Sequence, residues 1–221
     1  MVTFLVDNQE IGAEEGESLL QACLDNDIYI PNLCHLKDQL QPPSSCRMCF
    51  VEIEGEENPV TSCTVKIKEG LVVITDTLSV RRLQRSALQL LLSVHCVDCG
   101  NCPANKRCQL QRAAQFLKVG LKPDKLELFL KEPDKVSDHP CLDYYPNRCV
   151  LCGKCVYICE KEHGQSFLAF AGRGFDTVIS LYGEGSEPKF PCEECTACVE
   201  TCPVAALIMR ERDGTNQKAL D

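Results

Sequence analysis

The spacing of apolar residues in the first 77 positions is typical of strands. Val2–Val6 and Gln9–Ile11 flank the turn-forming pair Asp7-Asn8, which predicts a β-hairpin. Phe50–Glu54 alternates apolar and polar residues, as a half-buried strand does, and Leu71–Ile74 is a further strand candidate. This part of the chain is therefore predicted to be a small strand-rich domain.

A different spacing, with apolar residues three and four apart, predicts helices elsewhere. A short helix over Leu19–Leu24 would cross the strand-rich part, with Ser18 placed to cap it. Val80–Val94 is a longer candidate, with an apolar face of Val80, Leu83, Ala87, Leu90, Leu91 and Val94. A further helix is predicted to open at Gln109.

Composition changes the picture, because 18 of the 221 residues are cysteine. The net charge of −9 argues against nucleic-acid binding, which selects for basic patches. The N-terminus lacks the basic and apolar regions of a secretory signal, and no apolar run approaches the length of a membrane span. We therefore expect a cytoplasmic protein, in which so many cysteines bind metal rather than form disulfides.

Sixteen of the cysteines fall into four clumps, at 34–63, 96–108, 149–159 and 192–202. The first clump follows the pattern of a plant-type [2Fe–2S] site, in which a long loop carries three cysteines and the fourth is distant, but its first gap is longer. Its cysteines are Cys34, Cys46, Cys49 and Cys63. Residues 42–45, Pro-Pro-Ser-Ser, keep this loop irregular, so that backbone N–H groups are free to point at sulfur. A four-cysteine zinc site is the alternative, although zinc favours paired short knuckles.

The second clump follows the long predicted helix and offers two ligand sets. His95, Cys99, Cys102 and Cys108 form one set, and replacing His95 with Cys96 gives an all-cysteine set. We favour His95, which leaves Cys96 as a buried bystander or a substitute. An imidazole ligand makes a cluster less negative and so favours its reduction.

The last two clumps have the same spacing and match the run of bacterial two-cluster ferredoxins. In such runs the fourth cysteine ligates the other cluster. One [4Fe–4S] cluster is therefore expected on Cys149, Cys152, Cys155 and Cys202, and another on Cys192, Cys195, Cys198 and Cys159. The first run ends Cys159-Glu160 without the usual proline, which is expected to loosen the turn there.

Several features lie outside these ligand sets. Cys23 and Cys141 are expected to be small buried residues. The glycines in the 172–174 and 183–185 segments are expected to form turns of a short hairpin between the two runs. Residues 119–138, with two prolines and many charges, are predicted to be a linker.

The motifs around Cys34, Cys46–Cys49, Cys63 and His95–Cys108 resemble the N-terminal part of the large iron–sulfur subunit of respiratory complex I. The same region opens iron-only hydrogenases, NAD-linked formate dehydrogenases and the small diaphorase subunit of NAD-reducing hydrogenases. His35 and Arg47 are then neighbours of ligands rather than ligands. The resemblance implies an α+β fold in three domains joined by a linker at 119–138. These are a β-grasp [2Fe–2S] domain at 1–77, a small helical [4Fe–4S] domain with one histidine and three cysteine ligands at 78–118, and a two-[4Fe–4S] ferredoxin domain at 139–221.

The resemblance also implies a function. Four clusters without a P-loop, a dinucleotide-binding glycine run or a nucleophile elbow are typical of an electron relay, with no catalytic residue and no flavin or NAD of its own. The implied partners are an NADH-dehydrogenase-like flavoprotein subunit, a small [2Fe–2S] subunit and a hydrogenase catalytic subunit. The chain stops before the long regions that follow in complex I and iron-only hydrogenases, so we expect the diaphorase type. A formate dehydrogenase or electron-bifurcating complex is the alternative, and a zinc-binding scaffold is the alternative of another class.

Overall fold

The computed structural model describes residues 1–122, 126–181, 192 and 195–210, and it is a mixed α/β structure. The predicted strands and helices occur in the predicted order, and the structure adds short strands and two helices that the periodicities did not indicate. The strands are β1 (Val2–Val6), β2 (Gln9–Ala13), β3 (Phe50–Ile53), β4 (Val60–Thr61), β5 (Val72–Ile74), β6 (Leu142–Tyr144), β7 (Leu168–Ala171), β8 (Val178–Leu181) and β9 (Leu207–Met209). The helices are α1 (Leu19–Asp25), α2 (Leu78–Leu92), α3 (Gln109–Leu117), α4 (Lys154–His163) and α5 (Ala197–Glu200).

The N-terminal part is a five-stranded sheet in the order β2-β1-β5-β3-β4. Strands β1 and β2 form the predicted hairpin, and Asp7 and Asn8 both have positive φ, at 50° and 68°. Two successive left-handed residues make the turn whose twist matches that of a hairpin. Strand β5 then pairs with β1 in parallel, aligning Leu5 with Val72. The prediction of a strand-rich unit crossed by one helix is confirmed.

Ser18 is at the N-cap of α1 as predicted, but its side chain does not cap the helix. The hydroxyl instead donates to the carbonyl of Cys63 over 3.4 Å. The first helical N–H, that of Leu19, donates to the carbonyl of Val65 over 2.9 Å. The main chain at Val65 therefore satisfies one of the free N–H groups at the start of α1, while the Ser18 hydroxyl bonds elsewhere.

Helix α2 begins and ends two residues earlier than predicted, and its buried stripe is shifted. The Thr77 hydroxyl accepts a hydrogen bond from the Val80 N–H and so fixes an earlier start. The buried residues are Val80, Gln84, Leu88 and Leu92, whereas Leu90 of the predicted face is 62% exposed. Gln84 is buried because its amide donates to the carbonyl of Phe50, which attaches the helix to β3.

The C-terminal part contains two antiparallel strand pairs, β6–β9 and β7–β8. The predicted turn at Gly172 is confirmed, since it lies between β7 and β8 with φ of +76°. The companion turn expected at 183–185 lies outside the described residues. The described residues of the predicted linker are bonded to other parts of the chain. The Phe129 N–H donates to the Ser93 carbonyl, and Val136 pairs with Tyr144.

Buried apolar residues form two clusters, which we call the N-terminal core and the C-terminal core. The N-terminal core lies between α1 and the sheet, and it includes Cys49 and Cys63. The C-terminal core includes Leu88, Leu110 and Leu207, and it also takes in Cys34 and Cys46. One predicted four-cysteine site therefore borders both cores. Within the described residues, no helix has the length and apolar character needed to cross a membrane.

Candidate metal centres

The first site brings together Cys34, Cys46, Cys49 and Cys63, all of them buried. The sulfurs of Cys34 and Cys46 are 3.4 Å apart. Hydrogen bonds from the Cys46 thiol and from the backbone of Cys46 and Ser45 lower the pKa of Cys34 to about 6. Cys49 similarly lowers the pKa of Cys63 to about 7. Two thiolates are thus favoured near neutral pH, and thiolates are the ligands that iron requires.

The loop that carries these cysteines has the irregular backbone anticipated from its prolines and serines. Ser44 and Arg47 both have φ of 51°, a left-handed conformation that costs a non-glycine residue of order 1–3 kcal/mol. The Ser44 hydroxyl lies 3.4 Å from the Cys63 sulfur. Strain in this loop is therefore accompanied by polar groups turned toward sulfur.

His35 and Arg47 behave as neighbours of this site. The Nε2 of His35 lies 2.8 Å from the Gln21 side-chain oxygen, and burial lowers the pKa of His35. The Arg47 guanidinium lies 5.0 Å from the centre of the Phe50 ring. Both side chains thus contact residues other than the four cysteines.

The second site is a small cavity lined by His95, Cys96, Cys99, Cys102 and Cys108. Burial lowers the pKa of His95, which favours the neutral imidazole, and its Nδ1 atom is buried without a hydrogen-bond partner among the described residues. A buried ring nitrogen without a hydrogen-bond partner suits a metal ligand. The expectation that Cys96 is buried is wrong: its side chain is exposed, and its N–H donates to the carbonyl of Asn147.

The third and fourth sites each combine cysteines from both of the repeated runs. One cavity is lined by Cys149, Cys152 and Cys155 together with Cys202. Another is lined by Cys192, Cys195 and Cys198 together with Cys159. The structure therefore brings together the crossed sets that the ferredoxin spacing predicted.

Backbone N–H groups point at three of these sulfurs. Leu151 donates to Cys149 over 3.4 Å, Phe167 to Cys159 over 3.3 Å and Ala206 to Cys202 over 3.2 Å. Leu151 and Ala205 have positive φ, at 51° and 50°, which turns the chain sharply beside the cysteines. N–H donors to sulfur stabilise the negative charge of a thiolate-bound cluster and help set its potential.

The structure shows why a proline does not follow Cys159. Glu160 lies inside α4, which continues to His163, so no turn follows Cys159 and the expected loosening of a turn does not apply. In the second run the short helix α5 ends at Glu200, before Cys202-Pro203. A proline at 160 would remove a helical N–H and break α4.

The two remaining cysteines differ in their surroundings. Cys23 is fully buried, as expected, and burial raises its pKa to about 12. Cys141 is only half-buried, contrary to expectation, and its N–H donates to Nδ1 of His139. Burial raises the pKa of Cys192 to about 11, and the neighbouring Cys159 and then Cys141 add smaller contributions.

Asn147 organises the surroundings of the second site, and no motif in the sequence marks it. It is 3% exposed. Its side chain accepts from the Lys131 N–H and donates to the Lys131 carbonyl and to the Asp134 carboxylate. The main-chain carbonyl of Asn147 also accepts from the Cys96 N–H. Asn147 therefore joins the 131–134 segment to the residue after His95.

The donor chemistry suits iron–sulfur clusters. The four sites offer fifteen thiols and one imidazole, and in the third and fourth sites backbone N–H groups face sulfur. Among the described residues, no group of three histidine, cysteine, aspartate or glutamate side chains is arranged to hold a single metal ion.

Two regions of the chain match models of known protein families, and these regions contain the first and second sites. Residues 1–77 match the 2Fe-2S iron-sulfur cluster binding domain, and residues 84–121 match the NADH-ubiquinone oxidoreductase-G iron-sulfur binding region. The chain is related to the iron–sulfur subunits of NAD(P)H-linked oxidoreductases and hydrogenases. The family resemblance anticipated from the motifs is confirmed.

Two curated relatives, each a subunit of such an enzyme, align with nearly the whole chain. The NADPH-Fe(3+) oxidoreductase subunit alpha of Geobacter sulfurreducens is 33% identical over 95% of this chain and 24% of its own length. The NADP-reducing hydrogenase subunit HndD of Solidesulfovibrio fructosivorans is 32% identical over 96% of this chain and 36% of its own length. The chain thus spans about a quarter to a third of these relatives.

A solved structure of the same kind matches the fold. The chain aligns with one from an NAD+-reducing [NiFe]-hydrogenase in the H2-reduced state, with a TM-score of 0.81 and 27% identity. The alignment covers 97% of this chain and 89% of that one.

Proposed function

We propose that this chain is an electron relay with one [2Fe–2S] and three [4Fe–4S] clusters. The observation that carries the proposal is the grouping of cysteines into crossed sets, each lining one cavity with contributions from both runs. One-electron carriers placed in series, with N–H groups aimed at their sulfurs, suit conduction rather than bond chemistry.

The proposed ligands follow the four sites. Cys34, Cys46, Cys49 and Cys63 hold the [2Fe–2S] cluster. His95, Cys99, Cys102 and Cys108 hold a [4Fe–4S] cluster. The other two clusters are held by Cys149, Cys152, Cys155 and Cys202, and by Cys192, Cys195, Cys198 and Cys159. Three domains at 1–77, 78–118 and 139–221 would carry these centres, with 119–138 between the second and third.

The proposed partners come from the relatives. A relay needs a donor and an acceptor on other subunits, and the relatives are named for NADPH-dependent iron reduction and for hydrogenase activity. We propose a flavoprotein subunit that exchanges hydride with NAD(P)H on one side, accompanied by a small [2Fe–2S] subunit. On the other side we propose a hydrogenase subunit, which the solved hydrogenase chain of similar length supports.

Metal and sulfide analysis of the anaerobically purified chain tests the relay. We expect about 14 iron atoms and 14 acid-labile sulfides per chain, two for the [2Fe–2S] cluster and four for each [4Fe–4S] cluster. A colourless protein that contains zinc and no labile sulfide would refute the proposal and support a scaffold.

Affinity purification from the native host then tests the partners. We expect a flavin-containing subunit and a nickel-containing subunit to accompany the chain, and NAD(P)H to reduce its clusters within the complex. Molybdenum in place of nickel would replace the hydrogenase assignment with a formate dehydrogenase. Clusters that NAD(P)H leaves oxidised in the intact complex would contradict the link to nicotinamide nucleotides.

A further inference from the structure

Lys154 is a buried amine for which the relay alone gives no role. It is the first residue of α4 and is 5% exposed. None of the five ion pairs in the described part of the chain involves it. Burial lowers the pKa of Lys154, because an ammonium taken out of water costs several kcal/mol unless an opposite charge lies nearby.

The sulfurs near Lys154 come from two different sites. Cys152 and Cys202 line the third site, whereas Cys34 and Cys46 belong to the first, and negative charge on any of the four would favour the charged form of Lys154. Cys34, Cys46 and Cys152 also belong to the same apolar core. Lys154 therefore lies where the first and third sites adjoin.

Helix α4 is held in this position by side chains on the face that carries Lys154. Tyr157 and Lys161, three and seven residues further on, lie on the same side of the helix. The Tyr157 hydroxyl donates to the carbonyl of Asp38 over 2.9 Å, and the Lys161 ammonium pairs with the Asp38 carboxylate at 2.7 Å. Asp38 follows Cys34 by four residues, so these contacts fix the helix against the loop of the first site.

We propose that Lys154 is a shared counter-charge that raises the reduction potentials of the [2Fe–2S] cluster and of the adjacent [4Fe–4S] cluster. The inference rests on the proposed function, since it requires clusters at both sites. Each cluster gains one negative charge when it accepts an electron, and a nearby cation stabilises that reduced form. When one electron passes between the two clusters, one is oxidised and the other reduced, and no bond or proton changes at Lys154.

Redox titration of the purified full-length chain, followed by EPR, tests this role. In Lys154→Met we expect both potentials to fall by at least about 59 mV, a tenfold change in a one-electron equilibrium constant. The two clusters farther from Lys154, on the His95 and Cys192 sets, serve as internal references and should keep their potentials. Lys154→Arg preserves the charge and should restore values near those of the unmodified chain.

Lys161→Met is the matched control, because it removes the same charge from the same helix face. The Lys161 side chain is 44% exposed, and water and salt screen its charge. We expect its loss to leave all four potentials unchanged, because the Tyr157 hydroxyl still holds α4 against the main chain of Asp38. An equal shift in Lys161→Met would refute a specific role for Lys154.

The remaining outcomes are also decisive. Unchanged potentials in a fully loaded Lys154→Met or Lys154→Gln variant would refute the inference while leaving the relay intact. If both neutral variants lose their clusters and Lys154→Arg keeps them, a counter-charge is required at this position. If Lys154→Arg loses them as well, the shape of the side chain matters and the inference is wrong. Absence of clusters from the unmodified chain would refute the proposed function itself.

Discussion

Replacing Asn147 with alanine is predicted to weaken the surroundings of the His95 site. The substitution removes two part-buried hydrogen bonds with the main chain of Lys131, at 2.7 and 2.9 Å, and one with the carboxylate of Asp134. A neutral hydrogen bond contributes about 0.5–1.5 kcal/mol, and a bond to a charged group about 1.5–3 kcal/mol. Asp134 is exposed, which places its bond at the lower end. The expected loss is about 2.5–4.5 kcal/mol of unfolding free energy.

The assay is denaturant unfolding of the loaded chain, followed by the loss of visible absorbance and by far-UV circular dichroism. With a urea slope of about 2 kcal/mol/M, the midpoint should fall by about 1–2 M. The EPR signal of the His95 site should broaden, because the main-chain carbonyl of residue 147, which accepts from the Cys96 N–H, loses the side-chain bonds that hold it in place.

Asn101→Ala is the matched control for this prediction. The Asn101 amide also bonds a carboxylate, that of Asp98, at 3.0 Å to each oxygen, but the pair is exposed. Its loss should change the midpoint by less than about 0.5 M, because exposed pairs contribute at most about 1 kcal/mol. Equal midpoints for the two variants would refute the reasoning.

Three further predictions concern separate parts of the chain. His95→Ala should alter one [4Fe–4S] EPR signal and leave the [2Fe–2S] signal intact, whereas Cys96→Ala should leave both; the reverse result would transfer the ligand role to Cys96. Gly172→Ala should destabilise the β7–β8 hairpin by about 1–3 kcal/mol, because its new Cβ would lie 2.5 Å from the Asp176 carbonyl oxygen. Gly164→Ala, at a similar φ of +74° but in open space, should cost less in thermal melts, and equal melting temperatures would contradict this. Burial lowers the pKa of His139 to about 4, so the unfolded chain binds a proton between pH 6.5 and 4 that the folded chain does not. Stability should therefore fall as the pH drops through this window, and fall less steeply in His139→Gln; parallel pH profiles would show that His139 is not responsible.

Sequence spacing was sufficient wherever the determinant is local. Asp7-Asn8 forms the predicted hairpin turn because two adjacent residues alone set its geometry. The crossed cavities followed from cysteine spacing, because short loops can offer three sulfurs to one small cluster. Neither result needed knowledge of distant contacts.

The errors arose where distant residues decide the outcome. The Ser18 hydroxyl does not cap α1 because it donates to the carbonyl of Cys63. The buried face of α2 differs from the predicted one because the Gln84 amide donates to the Phe50 carbonyl on β3. Asn147 and Lys154 carry no motif, since their importance depends on partners that the fold brings from elsewhere. Local pattern cannot reveal such partners.

The first site borders both apolar cores, with Cys34 and Cys46 in one and Cys49 and Cys63 in the other. A cluster bound there would crosslink the two apolar cores as well as carry electrons. Oxidative loss of that cluster would therefore stop electron transfer and remove the crosslink at the same time. A chain that has lost this cluster would then expose more of its interior to proteases than the loaded chain does.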